Sequence, residues 1–163
     1  MSTEIISDAD SPEPLLRRKS LTAHTPATMR TDIDCGEHGQ IVTDEPLAHG
    51  GTGKGPSPLQ TVLAALTGCE SVTFNRTAAE VEFDYESITY EAGFTIDIRG
   101  RLGNRSVTQH FQTVRLEATV VTNESEERLR EVVEETEARC PVYNLIKDAG
   151  VKLEARWIRK RPD

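Results

Sequence analysis

The sequence predicts an α+β fold with antiparallel sheets around one central buried helix. Apolar residues recur at spacings of three and four from Leu59 to Cys69, which is typical of a buried helical face. On both sides of the Gly100–Asn104 turn, apolar and polar residues alternate instead, as in antiparallel strands with one solvated face. The expected order is two strands, a helix, two strands, two helices and a strand, so strands and helices are partly segregated along the chain.

The central helix follows a glycine-rich stretch, Gly50–Ser57, which we expect to be a flexible loop. Ser57 can cap the helix, and Pro58 suits its first position because that backbone nitrogen would have no helical partner in any case. The helix is expected to end between Arg76 and Glu80. Its predicted buried face consists of Leu59, Val62, Leu63, Leu66 and Cys69. Cys69 would then lie about three turns into the helix.

A hairpin is expected before this helix. Residues typical of strands run from Leu21 to Asp34, a turn follows at residues 35–39, and a return strand begins at Ile41 and ends by Pro46.

The second half of the chain predicts one antiparallel strand pair, formed by Phe94–Arg99 and Val114–Val120. Residues 122–125 offer caps for a helix whose apolar positions are Leu129, Val132, Val133 and Thr136. Pro141 must break that helix or begin another, which Gly150 would stop. A final strand is expected from Val151 to Trp157.

Length and charge restrict the class of protein. The 163 residues predict one domain over residues 21–163, preceded by a flexible tail at residues 1–20. The net charge of −8 argues against a nucleic-acid partner, which requires a basic face. No apolar run reaches the roughly 18 residues of a membrane span, and no secretory signal begins the chain. We therefore expect a cytoplasmic protein without a membrane partner, whose cysteines stay reduced unless they do chemistry.

Three cysteines are the main candidates for chemistry: Cys35, Cys69 and Cys140. Cys35 and His38 have a plausible metal-ligand spacing, but no second pair completes a set of four, so no metal site and no cofactor are predicted. The cysteines fit either one redox pair and a bystander, or three inert thiols. An acidic cluster in the last quarter of the chain is expected to solvate a helix face, with a metal site as the alternative; it consists of Glu126, Glu127, Glu134, Glu135 and Glu137.

Local electrostatics favour Cys140 as the reactive thiol. It precedes Pro141 near a helix start and follows Arg139, and both the helix dipole and the cation would lower the pKa of the thiol. Cys69 lies in mid-helix, where it could be nucleophilic only if an arginine from elsewhere in the fold reached it.

Two motifs resemble the OsmC/Ohr family, the osmotically inducible protein C and organic hydroperoxide resistance proteins. The first runs from Asp44-Glu45-Pro46 through Gly50-Gly51 to GPSPLQTVLAALTGC, ending at Cys69, and the second is Arg139-Cys140-Pro141-Val142. The resemblance covers about residues 25 to 158. It implies an intertwined homodimer that reduces organic hydroperoxides, with Cys69 as the peroxidatic cysteine, Cys140 as the resolving cysteine, and a dithiol such as dihydrolipoamide as the reductant.

The chain departs from the family pattern in one respect. The family's peroxidases have a glutamate after the proline, which orients an activating arginine, whereas this chain has Leu59 followed by a matching Gln60. Arg30 is the candidate for that arginine and Arg76 is the fallback, while Glu45 is a candidate replacement for the carboxylate. Cys35 is expected to have no role.

An alternative from another class is a non-catalytic dimer of the same fold. Such a dimer would bind a small apolar or electrophilic ligand at the subunit interface. Leu59 in place of the glutamate favours it, because an apolar pocket mouth would lack the group that positions the arginine.

Overall fold

The computed structural model describes residues 13–163. Residues 1–12 of the predicted tail lie outside the described residues, and residues 13–20 are exposed and without helix or strand. The chain divides into two compact units, one ending at Pro58 and the other running from Leu59 to Asp163. The expected single domain from residue 21 onward stays a prediction.

The first unit is a three-stranded antiparallel sheet in the order β1-β2-β3. Its strands are β1 (Thr22–His24), β2 (Thr31–Asp34) and β3 (Gln40–Thr43). The predicted hairpin is the β2–β3 pair, with Thr31 opposite Thr43. The stretch from Leu21 to Asp34 is not one strand, because the chain turns between β1 and β2, where Pro26 has no N–H for a sheet hydrogen bond.

The glycine-rich stretch after β3 is held by backbone and side-chain hydrogen bonds within the first unit. The Asp44 carboxylate, which is fully buried, accepts hydrogen bonds from the Thr52 hydroxyl (2.5 Å) and from the N–H groups of Thr52, Lys54 and Glu45. The Thr52 hydroxyl and the backbone donors together lower the pKa of Asp44 to about 2. This stretch, expected to be a flexible loop, is therefore folded around one carboxylate.

The second unit contains a three-stranded sheet in the order β4-β5-β6. β4 (Ser87–Ile96) and β5 (Phe111–Val121) are antiparallel, whereas β5 and β6 (Lys152–Lys160) are parallel. This sheet is therefore mixed, and not antiparallel throughout as predicted. The last strand is parallel because two helices, α3 (Glu126–Arg139) and α4 (Pro141–Asp148), make the crossover between β5 and β6. From Val114 onward, alternate residues of β5 are buried, as the period of two predicts: Val114, Leu116, Ala118 and Val120. Phe111 is also buried, three positions before Val114, because the pairing with β4 shifts its register between them.

Helix α1 (Pro58–Glu80) has the predicted start and ends within the predicted range. It joins two apolar clusters. The first includes Leu63 and Leu66 and packs them against Val114 and Leu116 of β5. The second centres on Phe74, whose ring stacks on Trp157 with centroids 5.3 Å apart. None of the helices in residues 13–163 is long and apolar enough to cross a lipid bilayer.

The structure corrects two details of the predicted elements. β4 begins at Ser87, well before Phe94, and it stops at Ile96. Ile98, expected in the strand, begins the single-turn helix α2 (Ile98–Arg101) and is 63% exposed. The reason is Asp97, whose side chain caps this turn by accepting the Arg99 N–H at 3.0 Å.

Replacing Gly51 by alanine should destabilise the first unit. An added Cβ would lie 1.8 Å from the Glu45 carbonyl oxygen, so the backbone around Asp44 must shift. We expect a loss of about 1–3 kcal/mol, the usual cost of forcing atoms into a packed site. Gly68→Ala is the matched control, since its Cβ would meet no other atom within 4 Å and alanine favours a helix interior. Chemical denaturation measures both, and equal stability of the two variants would contradict the prediction.

Candidate active site

Cys69 lies on α1 at the edge of the buried stripe of that helix. The stripe is formed by Leu63, Leu66, Glu70, Phe74, Thr77 and Ala78. With about 100° between successive residues, Cys69 and Val62 lie roughly a quarter of a turn from its centre. Cys69 is accordingly half-buried, and Val62, predicted to be buried, is 39% exposed. The predicted buried face was therefore centred wrongly. It ended at Cys69, whereas the observed buried stripe passes through Glu70.

Cys140 lies at the junction of α3 and α4 and is fully buried. Its N–H donates to the Thr136 carbonyl at 2.9 Å and ends α3. Its thiol sulfur caps α4 by accepting the Tyr143 N–H at 3.4 Å. Pro141 occupies the first position of α4, as the sequence predicts.

The fold of the second unit brings the thiols of Cys69 and Cys140 together. The Cys140 thiol lies beside the side chains of both Cys69 and Glu70, and each of these acts on its pKa. All three cysteines of the chain, including Cys35, are free thiols in this structure. Two cysteines 71 positions apart in the sequence are therefore neighbours in space.

The pKa of Cys140 is raised far above its usual range, contrary to the expectation from local electrostatics. Burial is the main cause; the Tyr143 N–H is the next-largest influence and lowers the pKa, while the side chains of Glu70 and Cys69 raise it further. The Arg139 guanidinium, expected to stabilise the thiolate, pairs instead with Glu80 (2.5 Å) and Glu135 (2.6 Å) at the surface. Cys140 is thus a buried neutral thiol.

Glu70 is the residue of this site that the sequence analysis missed. Its side chain is fully buried, and neither carboxyl oxygen has a hydrogen-bond partner among the described residues, although the Cys140 thiol lies beside it. Burial raises the pKa of Glu70 to about 7, the Cys140 thiol opposes this, and the charge of Glu137 adds to it. The signal was present in the sequence, because Glu70 continues the three-and-four spacing of Leu63 and Leu66.

A second carboxyl group, Glu137, faces this site from α3. Its two oxygens accept hydrogen bonds from the Trp157 indole N–H (3.0 Å) and from the Tyr143 hydroxyl (3.1 Å). Glu137 was predicted to solvate the outer face of its helix, but these two aromatic donors hold it on the inner side.

Arg30, the predicted activating arginine, belongs to the first unit. It directly precedes β2, and its guanidinium pairs with the Asp32 carboxylate at 2.5 Å. That the Arg30 guanidinium reaches the Cys69 thiol stays a prediction. Arg76 of α1 is exposed, Glu45 lies 3.9 Å from His49, and Cys35 lies half-buried in the turn after β2.

Leu59 packs against the first apolar cluster of the second unit.

Among residues 13–163, no three side chains of His, Cys, Asp or Glu are grouped so that they could hold a metal ion.

A family model described as OsmC-like protein matches residues 51–156. No curated protein sequence matches the chain. The structure is similar to that of an OsmC like protein from Mycoplasma pneumoniae, with a TM-score of 0.74 and 18% identity over 90% of this chain and 99% of that one.

Two further solved structures carry functional names. An organic hydroperoxide resistance protein from Elizabethkingia anophelis gives a TM-score of 0.66 at 15% identity, over 91% of this chain and 100% of that one. An organic hydroperoxide resistance protein OsmC from Legionella pneumophila gives 0.62 at 14% identity, over 89% and 99%. At these identities the similarity shows the fold, and the α+β prediction is confirmed.

Glu70 should make stability fall with rising pH. Its native pKa of about 7 exceeds the ordinary value of 4.5, so the native state binds its proton more tightly than the unfolded chain does. The contribution of this group is fully present below the unfolded value and is lost as pH rises through the native one. Between about pH 5 and 8 we expect a loss on the order of 2–3 kcal/mol.

Denaturation of the wild type and of Glu70→Gln across this pH range, at one protein concentration, measures this loss. The variant should lack it, whereas Glu134→Gln, at an exposed position of α3, should retain it. Parallel pH profiles for the wild type and Glu70→Gln would contradict the assignment.

The reduced thiols should alkylate in a fixed order. Cys140 is inaccessible and its pKa is raised, whereas Cys69 and Cys35 are both partly exposed. Iodoacetamide should therefore label Cys140 last, by at least roughly tenfold, because only the thiolate reacts and burial disfavours it. Peptide mass spectrometry over time gives the three rates, and early labelling of Cys140 would show that its burial is not maintained in solution.

Proposed function

The chain belongs to the OsmC-like protein family, and from this premise we propose that it is a thiol-dependent peroxidase that reduces organic hydroperoxides. The observation that carries the proposal is the pairing of a half-buried thiol, Cys69, with a buried thiol, Cys140. Similar solved structures of organic hydroperoxide resistance proteins support the substrate class.

Cys69 would react first, because it is the more accessible of the two thiols. Its thiolate attacks the peroxide, the O–O bond breaks, and an alcohol leaves while Cys69 becomes a sulfenic acid. Arg30 is the residue we propose to polarise that thiolate. Glu45 is the candidate carboxylate to orient the arginine, since Leu59 packs into the apolar core.

Cys140 would then resolve the sulfenic acid. Its thiol displaces the hydroxyl group of Cys69 and a disulfide forms, which protects Cys69 from further oxidation. A dithiol reductant, of the lipoyl type, restores both thiols by exchange. We propose further that the working form is an intertwined homodimer and that it acts in the cytoplasm, where such reductants keep thiols reduced.

A stoichiometric pulse of cumene hydroperoxide should produce a Cys69–Cys140 disulfide in the wild type. Cys69→Ser should abolish turnover, and Cys140→Ser should accumulate a sulfenic acid at Cys69 that dimedone traps. Cys35→Ser is the matched control and should turn over like the wild type, because the proposed cycle uses only the thiols of Cys69 and Cys140.

Mass spectrometry of the trapped adducts and crosslinks provides the measurement. Loss of the Cys69 thiol no faster than that of the unfolded chain would reject the peroxidase. That result would instead favour a non-catalytic dimer that binds a small apolar or electrophilic ligand.

A further inference from the structure

Glu70 is a costly residue for a stable fold. A fully buried carboxyl group without a hydrogen-bond partner is destabilising, and an apolar residue at this position of α1 would pack between Leu66 and Phe74. The peroxidase cycle described above gives no role to this carboxyl group. It nevertheless lies against the Cys140 thiol, one position from Cys69 in the chain.

Cys140 has to lose a proton in the resolving step, and Glu70 lies where it can accept one. To attack a sulfenic acid, the thiol has to lose its proton, and burial opposes the thiolate. The titratable groups that face Glu70 within the second unit are Cys140 of the α3–α4 junction, Glu137 of α3, Tyr143 of α4 and Tyr90 of β4. None of these four is a cation, so none of them can stabilise a Cys140 thiolate by its charge. The proton of Cys140 therefore has to pass to an acceptor as the sulfur attacks.

Glu137 is the other carboxyl group at this place, and its environment differs. Each of its oxygens accepts a hydrogen bond, one from the Trp157 indole N–H and the other from the Tyr143 hydroxyl. Neither oxygen of Glu70 accepts a hydrogen bond from the described part of the chain, and the side chain is buried from solvent. Of the two carboxyl groups, Glu70 is the one whose oxygens accept no hydrogen bond within residues 13–163, and it lies beside the Cys140 thiol.

Resting on the proposed function, we propose that Glu70 is the catalytic base of the resolving step, which takes the proton of Cys140 and returns it to the leaving hydroxide. Burial and the charge of Glu137 place the pKa of Glu70 at about 7, so that at neutral pH both of its forms are populated. The two carboxyl groups thus have different environments and different roles: Glu137 accepts two hydrogen bonds, and Glu70 transfers the proton.

The step balances without a further reagent. The S–H bond of Cys140 breaks as its proton moves to the Glu70 carboxylate, and the sulfur attacks the Cys69 sulfur. The new S–S bond replaces the S–O bond, so that Cys140 is oxidised and Cys69 is reduced from the sulfenic level. The displaced hydroxide takes the proton from Glu70 and leaves as water, which regenerates the carboxylate.

Rapid-mixing experiments on the full chain separate the two chemical steps. After one equivalent of cumene hydroperoxide, dimedone trapping follows the sulfenic acid at Cys69, and mass spectrometry follows the disulfide. Glu70→Gln should form the sulfenic acid at the wild-type rate but form the disulfide roughly 100-fold more slowly, a typical loss for a missing general base. Glu70→Asp should recover part of that rate, and Glu134→Gln should resemble the wild type.

The pH profile distinguishes proton transfer from a packing role. In the wild type, the rate of disulfide formation should rise with pH and level off above neutrality, whereas in Glu70→Gln it should keep rising toward high pH. Equal rates of disulfide formation in the wild type and Glu70→Gln would overturn the role of Glu70 and leave the peroxidase standing. If no sulfenic acid forms in the wild type, both proposals fail. Should the variant not fold, a flat wild-type profile from about pH 5.5 to 8.5 would overturn the role of Glu70 by itself.

Discussion

The packing of α1 against the β4–β5–β6 sheet is the interaction on which the second unit depends. Leu63 and Leu66 bind the helix to one apolar cluster and Phe74 to the other. Each fully buried side chain of this size contributes about 1.5–3 kcal/mol, so together they fix the rotation of the helix about its axis. With that rotation fixed, Glu70 has to face the core and Cys69 has to lie at the edge of the buried stripe.

A second constraint brings Cys140 to the same place. Because Pro141 cannot donate a backbone hydrogen bond, α3 ends at Arg139 and α4 begins at Pro141, which leaves Cys140 to cap the second helix with its sulfur. That capping bond fixes the position of the thiol, which is fully buried. The site therefore combines a half-buried thiol, a fully buried thiol and a carboxyl group with no hydrogen-bond partner in residues 13–163, each placed by a different packing requirement.

Local sequence signals predicted the features that local forces determine. The start of α1, the break at Pro141 and the alternation of β5 follow from proline chemistry and residue period, which act over a few positions. Ile98 was misassigned because a capping bond from Asp97 outweighed one apolar position in an alternating run. The raised pKa of Cys140 could not be predicted, because the groups that bury it lie far away in the chain. Glu70 was missed for another reason: periodicity finds buried positions through apolar residues, and an acidic residue interrupts that pattern.

The aromatic donor that holds Glu137 has one more consequence. Trp157 is the single tryptophan of the chain; its ring is stacked on Phe74, and its indole N–H is bonded to the carboxylate that lies across from Glu70. An indole excited state is sensitive to a charged hydrogen-bond acceptor and to nearby sulfur. The molecule thus carries a single tryptophan fluorophore, hydrogen-bonded to the carboxylate that faces Glu70, and its emission should respond without a label to a change of charge at this site.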